Sequence, residues 1–266
     1  MHDGSMTDGY DADFLEARLP LPRPASEVRT LPYPRFTVLL DPARRLAAVT
    51  AVNIDGATLQ NLPRTGDWRL DERLPVDEQT GPEVYARNDL DRGHLVRRRD
   101  PGWGPAETAR AASEATFFYP NAAPQAAGFN QSKELWLGLE DHVLAYAETT
   151  DRRMSVFTAP VLAESDPPYR GIRVPLHFWK VAAWRGPDGL ASAGFVLDQS
   201  DLVDTREEKL AVPPLGAFRT FQVPVADIAA LTAIDFGALA DADVLARPTA
   251  RETGWRLLDT AGDIVL

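Results

Sequence analysis

Residues 90–100 read LDRGHLVRRRD and place four arginines around one histidine, His94. The whole chain of 266 residues is acidic, with a formal net charge of −11. An imidazole with a pKa of about 6.5 can accept a proton from water at neutral pH. Guanidinium groups match phosphate oxygens in a two-pronged geometry. The stretch therefore predicts a site where a general base lies beside a bound phosphate.

His94 also has an alternative interpretation, as a structural histidine whose ring nitrogens are satisfied inside a core. Two features of its neighbourhood favour the functional interpretation. Gly93 permits close backbone approach beside the imidazole, and the arginines at 97–99 bring more charge than a core accepts. Part of that run is expected to be a solvated surface, so Arg92, which directly precedes Gly93, is the best candidate for binding phosphate.

The bulk composition is that of an ordinary globular protein, with 44% hydrophobic and 25% charged residues. The absence of cysteine excludes disulfides, thiolate metal sites and cysteine nucleophiles. A sequence pI near 4.9 argues against long-range attraction for nucleic acid, but a local cluster of arginines can still hold a phosphate. No apolar run is long enough to span a membrane. The acidic, proline-rich N-terminus predicts no secretory signal, so a cytoplasmic location is the default expectation.

Two regions are predicted along the chain. Residues 1–32 contain several prolines and little periodicity, which predicts an extended N-terminal arm on the surface. Residues 33–266 are predicted to form a single domain, because α+β domains reach this length. The domain begins with a hairpin, in which FTVLLD (36–41) and RLAAVTAVNID (45–55) are β-rich and flank the turn DPARR.

The clearest helix is predicted within NQSKELWLGLEDHVLAYAE, residues 130–148. Apolar residues recur there at steps of four from Leu135 to Ala147, as on one face of an amphipathic helix. A shorter helix is expected within residues 106–118. β-rich runs such as MSVFTAPVL and HFWKVAAW are intermixed with these helices. This pattern favours an α+β fold with a central, largely antiparallel β-sheet flanked by helices.

Three motifs share a characteristic spacing. DRGH (91–94) is followed by FFYPNAAPQAAGFNQ (117–131), which contains an N-x3-Q-x4-N pattern, and by LWLGLED (135–141). With these motifs the sequence resembles the DNA/RNA non-specific endonuclease family, the ββα-metal or His-Me finger nucleases that include mitochondrial endonuclease G. The resemblance extends over roughly residues 31–240. It implies a ββα-metal active-site motif within the α+β fold.

The resemblance implies a role for each matching residue. His94 matches the histidine that acts as general base, and Arg92 matches the arginine beside it. Asn130 matches the asparagine that is the only direct protein ligand of a Mg²⁺ ion, for which Mn²⁺ is an expected substitute. Asn121 matches an asparagine that helps to organise the site. Glu140 matches an acidic residue that holds a metal-bound water.

These residue types suit phosphodiester cleavage. Magnesium is a hard ion that prefers oxygen ligands and keeps several waters, and a single neutral amide leaves its charge available to the reaction. Asn130 has an alternative role as the N-cap of the amphipathic helix, and the two roles are compatible. Glu140 lies ~80° around that helix from Asn130 if both are helical, at ~100° per residue. An exposed helix charge is the alternative interpretation of Glu140.

Further arginines are candidates for binding substrate. The polar loop around GDWRLDERLP offers Arg64 and Arg69 for an additional phosphate-binding arginine that the resemblance implies, and spacing does not distinguish them. Arg97 is predicted to contact substrate as part of the arginine run. Pro120 stands where many relatives have threonine, and it restricts the backbone that leads into the following asparagine.

The leading functional hypothesis is a Mg²⁺-dependent endonuclease that hydrolyses DNA and RNA with little sequence preference. No helix-turn-helix, zinc finger or basic helix that would read a base sequence is evident. A second hypothesis is a catalytically idle domain that binds nucleic acid or an inhibitor. A third is a metal-dependent phosphodiesterase that acts on a small substrate. The resemblance also allows a homodimer and a protein inhibitor as partners, and no membrane partner is expected.

Overall fold

Strands dominate the structure, a computed structural model that describes residues 8–126, 136–203, 219–246, 254–258 and 260–266. Within these ranges the strands are β1 Arg23–Pro24, β2 Arg29–Tyr33, β3 Phe36–Asp41, β4 Leu46–Asp55, β5 Leu90–His94, β6 Ala122–Ala126, β7 Arg153–Pro160, β8 Pro168–Tyr169, β9 Ile172–Arg173, β10 His177–Gly186, β11 Gly189–Asp198, β12 Arg219–Val223, β13 Ile234–Asp235 and β14 Arg256–Leu257. The α-helices there are α1 Pro82–Tyr85, α2 Ala106–Ala115, α3 Trp136–Thr149 and α4 Val225–Thr232. None of these helices is both long and apolar enough to cross a bilayer.

Eight of the strands form one sheet, in the order β14-β12-β11-β10-β7-β4-β3-β2. Every neighbouring pair in this sheet is antiparallel. The hairpin predicted over residues 36–55 forms β3 and β4, and the short predicted helix forms α2. The predicted α+β fold with a central, largely antiparallel sheet is therefore confirmed.

Helix α3 covers one face of the sheet. It packs against β4 and buries Leu139, Val143 and Ala147 at four-residue steps. The predicted amphipathic helix is thus confirmed over its described residues. On β10, Phe178 and Ala182 belong to the same core. Because side chains alternate along a strand, the buried Lys180 lies between them on this face.

The other face of the sheet is covered by helix α4 and by N-terminal residues. Ile228 of α4 shares a core with Phe14, Leu15 and Leu19, all of them buried. Strand β2, also N-terminal, forms one edge of the eight-stranded sheet. Residues 8–32 therefore supply a strand and core side chains in addition to surface, which the weak periodicity of this region did not indicate. The predicted domain boundary near β2 stays a prediction.

Candidate active site

A separate two-stranded sheet carries the predicted general base. Strands β5 and β6 pair antiparallel, and His94 ends β5 opposite Ala122. Alternation along β5 places Arg92 and His94 on one face and Gly93 on the other. Helix α3 is the next α-helix of the described chain after β6. The segment thus has the strand–strand–helix order expected of a ββα motif.

Gly93 is required because Gln125 packs over it. A Cβ atom on Gly93 would lie 2.1 Å from Cδ and Oε1 of Gln125, far inside van der Waals contact. Gln125 is fully buried, and its amide has no hydrogen-bond partner within the described residues. The glycine of DRGH therefore permits the close approach that the sequence predicts, and the approaching group is a side chain of β6.

Gly93→Ala is expected to destabilise the protein by about 1–3 kcal/mol, the usual cost of overpacking a buried position. Gln125→Ala removes the obstructing side chain, so Gly93→Ala should cost much less in that background. Urea unfolding followed by tryptophan fluorescence gives the free energy of unfolding of the parent, both single variants and the double variant. If Gly93→Ala cost the same in both backgrounds, Gln125 would not be the obstacle.

The imidazole of His94 lies in an aromatic niche. Its ring centroid is 4.5 Å from that of Trp68 and 4.8 Å from that of Phe117, which meets it edge-on. Nε2 of His94 is buried and has no hydrogen-bond partner among the described residues. A structural histidine satisfied inside a core would have its ring nitrogens paired. The geometry therefore favours a histidine with a nitrogen available for proton exchange.

Positive charge surrounds this imidazole. Burial, together with the charges of Arg64, Arg97 and Arg98, lowers the pKa of His94 to about 3. The unprotonated form is the one that can accept a proton from water. At neutral pH the free site therefore holds His94 as a neutral base.

The lowered pKa of His94 fixes the sign of the expected pH dependence. If His94 is the base, kcat/KM should rise with pH along an acidic limb whose apparent pKa lies below about 6.5. Arg98→Gln removes a repelling charge and should move this limb to higher pH, whereas Arg18→Gln, an exposed residue paired with Asp13, should not move it. Rates of polynucleotide cleavage across the acidic range give the limb. An apparent pKa of the parent limb above 6.5, or a shift of the limb to lower pH in Arg98→Gln, would contradict the assignment of His94 as the base.

Asn121 braces the backbone that follows His94. Its buried side chain accepts a hydrogen bond from the backbone N–H of Val96 (2.9 Å) and donates to the carbonyls of Val96 (2.8 Å) and Thr116 (2.9 Å). The backbone N–H of Leu95 donates to the Asn121 carbonyl at 3.0 Å. The amide is engaged locally at both ends, so Asn121 positions the chain around the base.

Glu140 belongs to a buried network of ion pairs. Its carboxylate lies 3.3 Å from Nε of Arg97 and 3.5 Å from Nζ of Lys180. Asp100, also buried, accepts a hydrogen bond from the backbone N–H of Arg97 at 3.0 Å. The network ties α3 and the central sheet to the segment that follows His94. The alternative interpretation of Glu140 as an exposed helix charge is therefore wrong.

The network also defines the surroundings of Arg97. Its side chain pairs with Asp141 at 2.8 Å as well as with Glu140, and it is only 17% exposed. A substrate contact by Arg97 stays a prediction.

Lys180 was missed by the reasoning from sequence, although a single lysine inside the apolar run HFWKVAAW was a signal of a buried charge that needs a partner.

The two candidates for the additional phosphate-binding arginine differ in their surroundings. Arg64 is exposed, and its charge acts on His94. Arg69 is also exposed, but its guanidinium lies 4.1 Å above the ring of Phe118. The structure therefore favours Arg64 as the arginine whose charge is felt at the base.

Two further arginines lie near the imidazole. Arg92 is exposed on the His94 face of β5. Arg98 donates to the carbonyl of Leu62 at 3.0 Å, which attaches the arginine run to the polar loop. Sequence reasoning did not single out Arg98 from its neighbours, because adjacent arginines are indistinguishable until their orientation is known.

The predicted metal ligand, Asn130, lies outside the described residues. Within the residues that are described, no group of three or more His, Asp or Glu side chains is arranged to hold a metal ion. Oε1 of Glu140 is buried there and forms no hydrogen bond with any of them, although Lys180 lies within ion-pair distance. A hard carboxylate oxygen of this kind, with an ammonium at 3.5 Å and no closer donor among the described residues, fits a hydrated divalent ion, which keeps waters that can donate hydrogen bonds.

A strand pair that carries a histidine, a following helix with a buried glutamate, and arginines around the imidazole together have the arrangement expected of the ββα class. The family model for the DNA/RNA non-specific endonucleases matches residues 21–243. The chain therefore belongs to the DNA/RNA non-specific endonuclease family, and this membership supports a nuclease function.

Two similar proteins extend this comparison. Uncharacterized protein y4fB of Sinorhizobium fredii is 39% identical over 97% of this chain, and the chain spans 42% of that protein's length. A solved chain of the EndoG/EndoGI complex matches with a TM-score of 0.62 and 20% identity, covering 84% of this chain and 89% of that chain. At this identity the solved structure shows the fold alone, and it agrees with the α+β architecture.

Proposed function

We propose that this protein is a Mg²⁺-dependent endonuclease that hydrolyses phosphodiester bonds in DNA and RNA with little sequence preference. The observation that carries the proposal is the buried, unpaired Nε2 of His94 in a field of guanidinium charge. A neutral imidazole can accept a proton from water, and guanidinium groups bind phosphate. Family membership supports the same class of reaction.

His94 is the general base of the proposed reaction. Its unpaired nitrogen accepts a proton from the water that attacks phosphorus. The charges of the nearby arginines oppose this protonation in the free site. A bound phosphodiester carries a negative charge that offsets them, so substrate binding raises the pKa of His94 towards neutrality. The base thus gains proton affinity only once the substrate is in place.

Arg92 and Arg64 bind the scissile phosphate in this proposal. Both are exposed, Arg92 shares a face of β5 with His94, and the charge of Arg64 acts on the imidazole. Arg69 is the less favoured ligand because its guanidinium lies over Phe118. Arg97 is the least favoured of the proposed substrate contacts, since its guanidinium is paired with Glu140 and Asp141.

Asn130 is the proposed ligand of the Mg²⁺ ion, with Mn²⁺ as a substitute. A hard divalent ion bound there supplies positive charge that offsets the charge developing on phosphorus and on the leaving oxygen. Glu140 has a carboxylate oxygen that lies 3.5 Å from Nζ of Lys180 and can also accept a hydrogen bond from a water molecule. Asn121 keeps the backbone beside His94 in place.

Incubation with supercoiled plasmid and with a structured RNA tests the proposal. Both polymers should be degraded in the presence of Mg²⁺, cleavage should stop with EDTA, and excess Mg²⁺ should restore it. A chromogenic phosphodiester serves as the small substrate. Binding of plasmid without cleavage under any divalent ion would favour the idle binding domain. Cleavage of the small diester alone would favour the phosphodiesterase.

Two partners belong to the same proposal. A protein inhibitor that covers the site is proposed because the similar solved structure is a complex concerned with EndoG inhibition. A homodimer is proposed on the resemblance to the family. Light scattering of the purified protein gives its mass in solution and tests the second of these.

A further inference from the structure

A groove of about 460 Å³ lies apart from the candidate active site, between the β8–β9 hairpin and the turn that joins β3 to β4. Arg44, Arg170 and Arg173 line it. Arg45 lies beside it, with Nη1 3.5 Å from the position that a Cβ atom on Gly171 would take. A chain of net charge −11 therefore gathers four guanidinium groups around one groove.

Carboxylates neutralise two of these four groups. Arg44 pairs with Asp166 at 2.8 Å and, more distantly, with the exposed Glu164 at 3.9 Å. Arg45 pairs with Glu83 at 3.1 Å. These two arginines have their counter-charges within the protein, so they do not by themselves call for a bound anion.

The other two groups are held by backbone carbonyls instead. Nη1 of Arg170 donates to the carbonyls of Glu83 and Ala86, and Nη1 of Arg173 donates to the carbonyl of Asp166. Both side chains have no ion pair with a carboxylate within the described part of the chain. A carbonyl fixes a guanidinium without cancelling its charge. Arg170 and Arg173 therefore present oriented, uncompensated positive charge at an exposed groove.

The hairpin holds these two charges at fixed positions. Arg170 (φ 45°) and Gly171 (φ 81°) both adopt left-handed backbone conformations between β8 and β9, as in a type I′ turn. On either side of the turn, Tyr169 and Ile172 are buried in a cluster that includes Leu90. Groups that are oriented before binding lose less entropy when a ligand arrives.

The same cluster connects the groove to the candidate active site. Leu90 begins β5 and His94 ends it, ~13 Å apart at ~3.3 Å per residue. Arg92 lies between them, and its charge acts on Tyr85, which belongs to the cluster. One strand of a duplex carries a phosphate every ~3.4 Å along the axis. A polynucleotide that reaches from the base to the groove therefore spans several nucleotides.

We propose that Arg170 and Arg173 bind a backbone phosphate of the polynucleotide, several nucleotides away from the phosphate that is cut. This inference rests on the proposed nuclease function and adds a second phosphate contact to it. The shared chemistry is that of a phosphate anion, which a polynucleotide or free inorganic phosphate could supply. The hairpin packs in one cluster with Leu90, at the start of the strand that ends in His94, and this favours the polynucleotide.

Fluorescence anisotropy of a labelled duplex of about 30 base pairs tests this inference in the presence of EDTA, so that the duplex stays intact. The affinity is measured from about 50 to about 200 mM NaCl. Arg170→Gln/Arg173→Gln should weaken binding several-fold at the lowest salt. It should also reduce the slope of log K against log[NaCl] by about 1, the value of one lost phosphate contact.

Matched variants separate charge at the groove from net charge and from folding. Arg18→Gln/Arg23→Gln removes the same charge from exposed pairs with Asp13 and Asp235, and it should leave the slope unchanged. Arg173→Lys keeps its charge and should retain the parent slope, whereas Arg173→Gln alone should lower it. Thermal melting of each variant confirms that it is folded at the assay temperature.

The outcomes distinguish this inference from the nuclease proposal. If the parent binds the duplex but the double variant has the same slope, the groove site is overturned and the nuclease proposal stands. If the parent binds no duplex at any salt, the groove site is overturned, and the cleavage of plasmid and RNA with Mg²⁺ decides separately on the nuclease proposal. Calorimetric titration with inorganic phosphate is the second arm. Saturable phosphate binding that the double variant loses, with an unchanged duplex slope, would indicate a site for free phosphate and overturn the polynucleotide contact.

Discussion

Replacing His94 by alanine is expected to lower kcat/KM for plasmid cleavage by about 10²–10⁴-fold, the usual contribution of a general base. The substitution removes the unpaired Nε2 that is proposed to accept the proton from water. It leaves the arginines around the site in place, so substrate affinity should change much less than the rate of cleavage. Single-turnover cleavage and duplex binding, measured separately, give the two effects.

His142→Ala is the matched control for this substitution. His142 lies on α3 and is half-buried, and no role in the reaction is assigned to it. It should retain the parent rate. Circular dichroism should show both variants folded. Parent-like cleavage by a folded His94→Ala protein would exclude His94 as the base, and with it the mechanism proposed for this site.

Lys180→Ala is expected to lower the free energy of unfolding by about 3–5 kcal/mol, the usual cost of breaking a buried ion pair by removing one partner. Nζ of Lys180 lies 3.5 Å from Glu140 and donates to Oγ1 of Thr158 at 2.8 Å. Removing it leaves the carboxylates of Glu140 and Asp100 buried with less compensating charge. Urea unfolding measures the loss.

Two comparison variants show whether burial is the cause. Arg23→Ala breaks an ion pair with Asp235 on the exposed surface, where pairs contribute little, and its stability should stay close to that of the parent. Lys180→Met/Glu140→Gln removes both charges of the buried pair, so it should be more stable than Lys180→Ala. If Lys180→Ala lowered the free energy of unfolding no more than Arg23→Ala, water would be compensating the remaining charges of the network, and burial would not be the cause.

Local patterns in the sequence were sufficient to predict the class of this protein. The hairpin at residues 36–55 follows from two β-rich runs on either side of a turn, and the helix that buries Leu139, Val143 and Ala147 follows from a four-residue period. Both signals depend only on near neighbours in the sequence. DRGH at its spacing from Asn121 indicated the family. Each motif is a short run of residues, so the family can be recognised from it without knowing how distant segments pack.

The tertiary structure alone decided which groups surround the base. Trp68 and Phe117 enclose His94, and Lys180 meets Glu140 across 40 residues of sequence. Spacing did not distinguish Arg64 from Arg69, because the direction of a loop side chain is set by the segments it packs against. Contacts of this kind leave no period in the sequence, since their energy comes from burial and charge shared between residues that are distant along the chain.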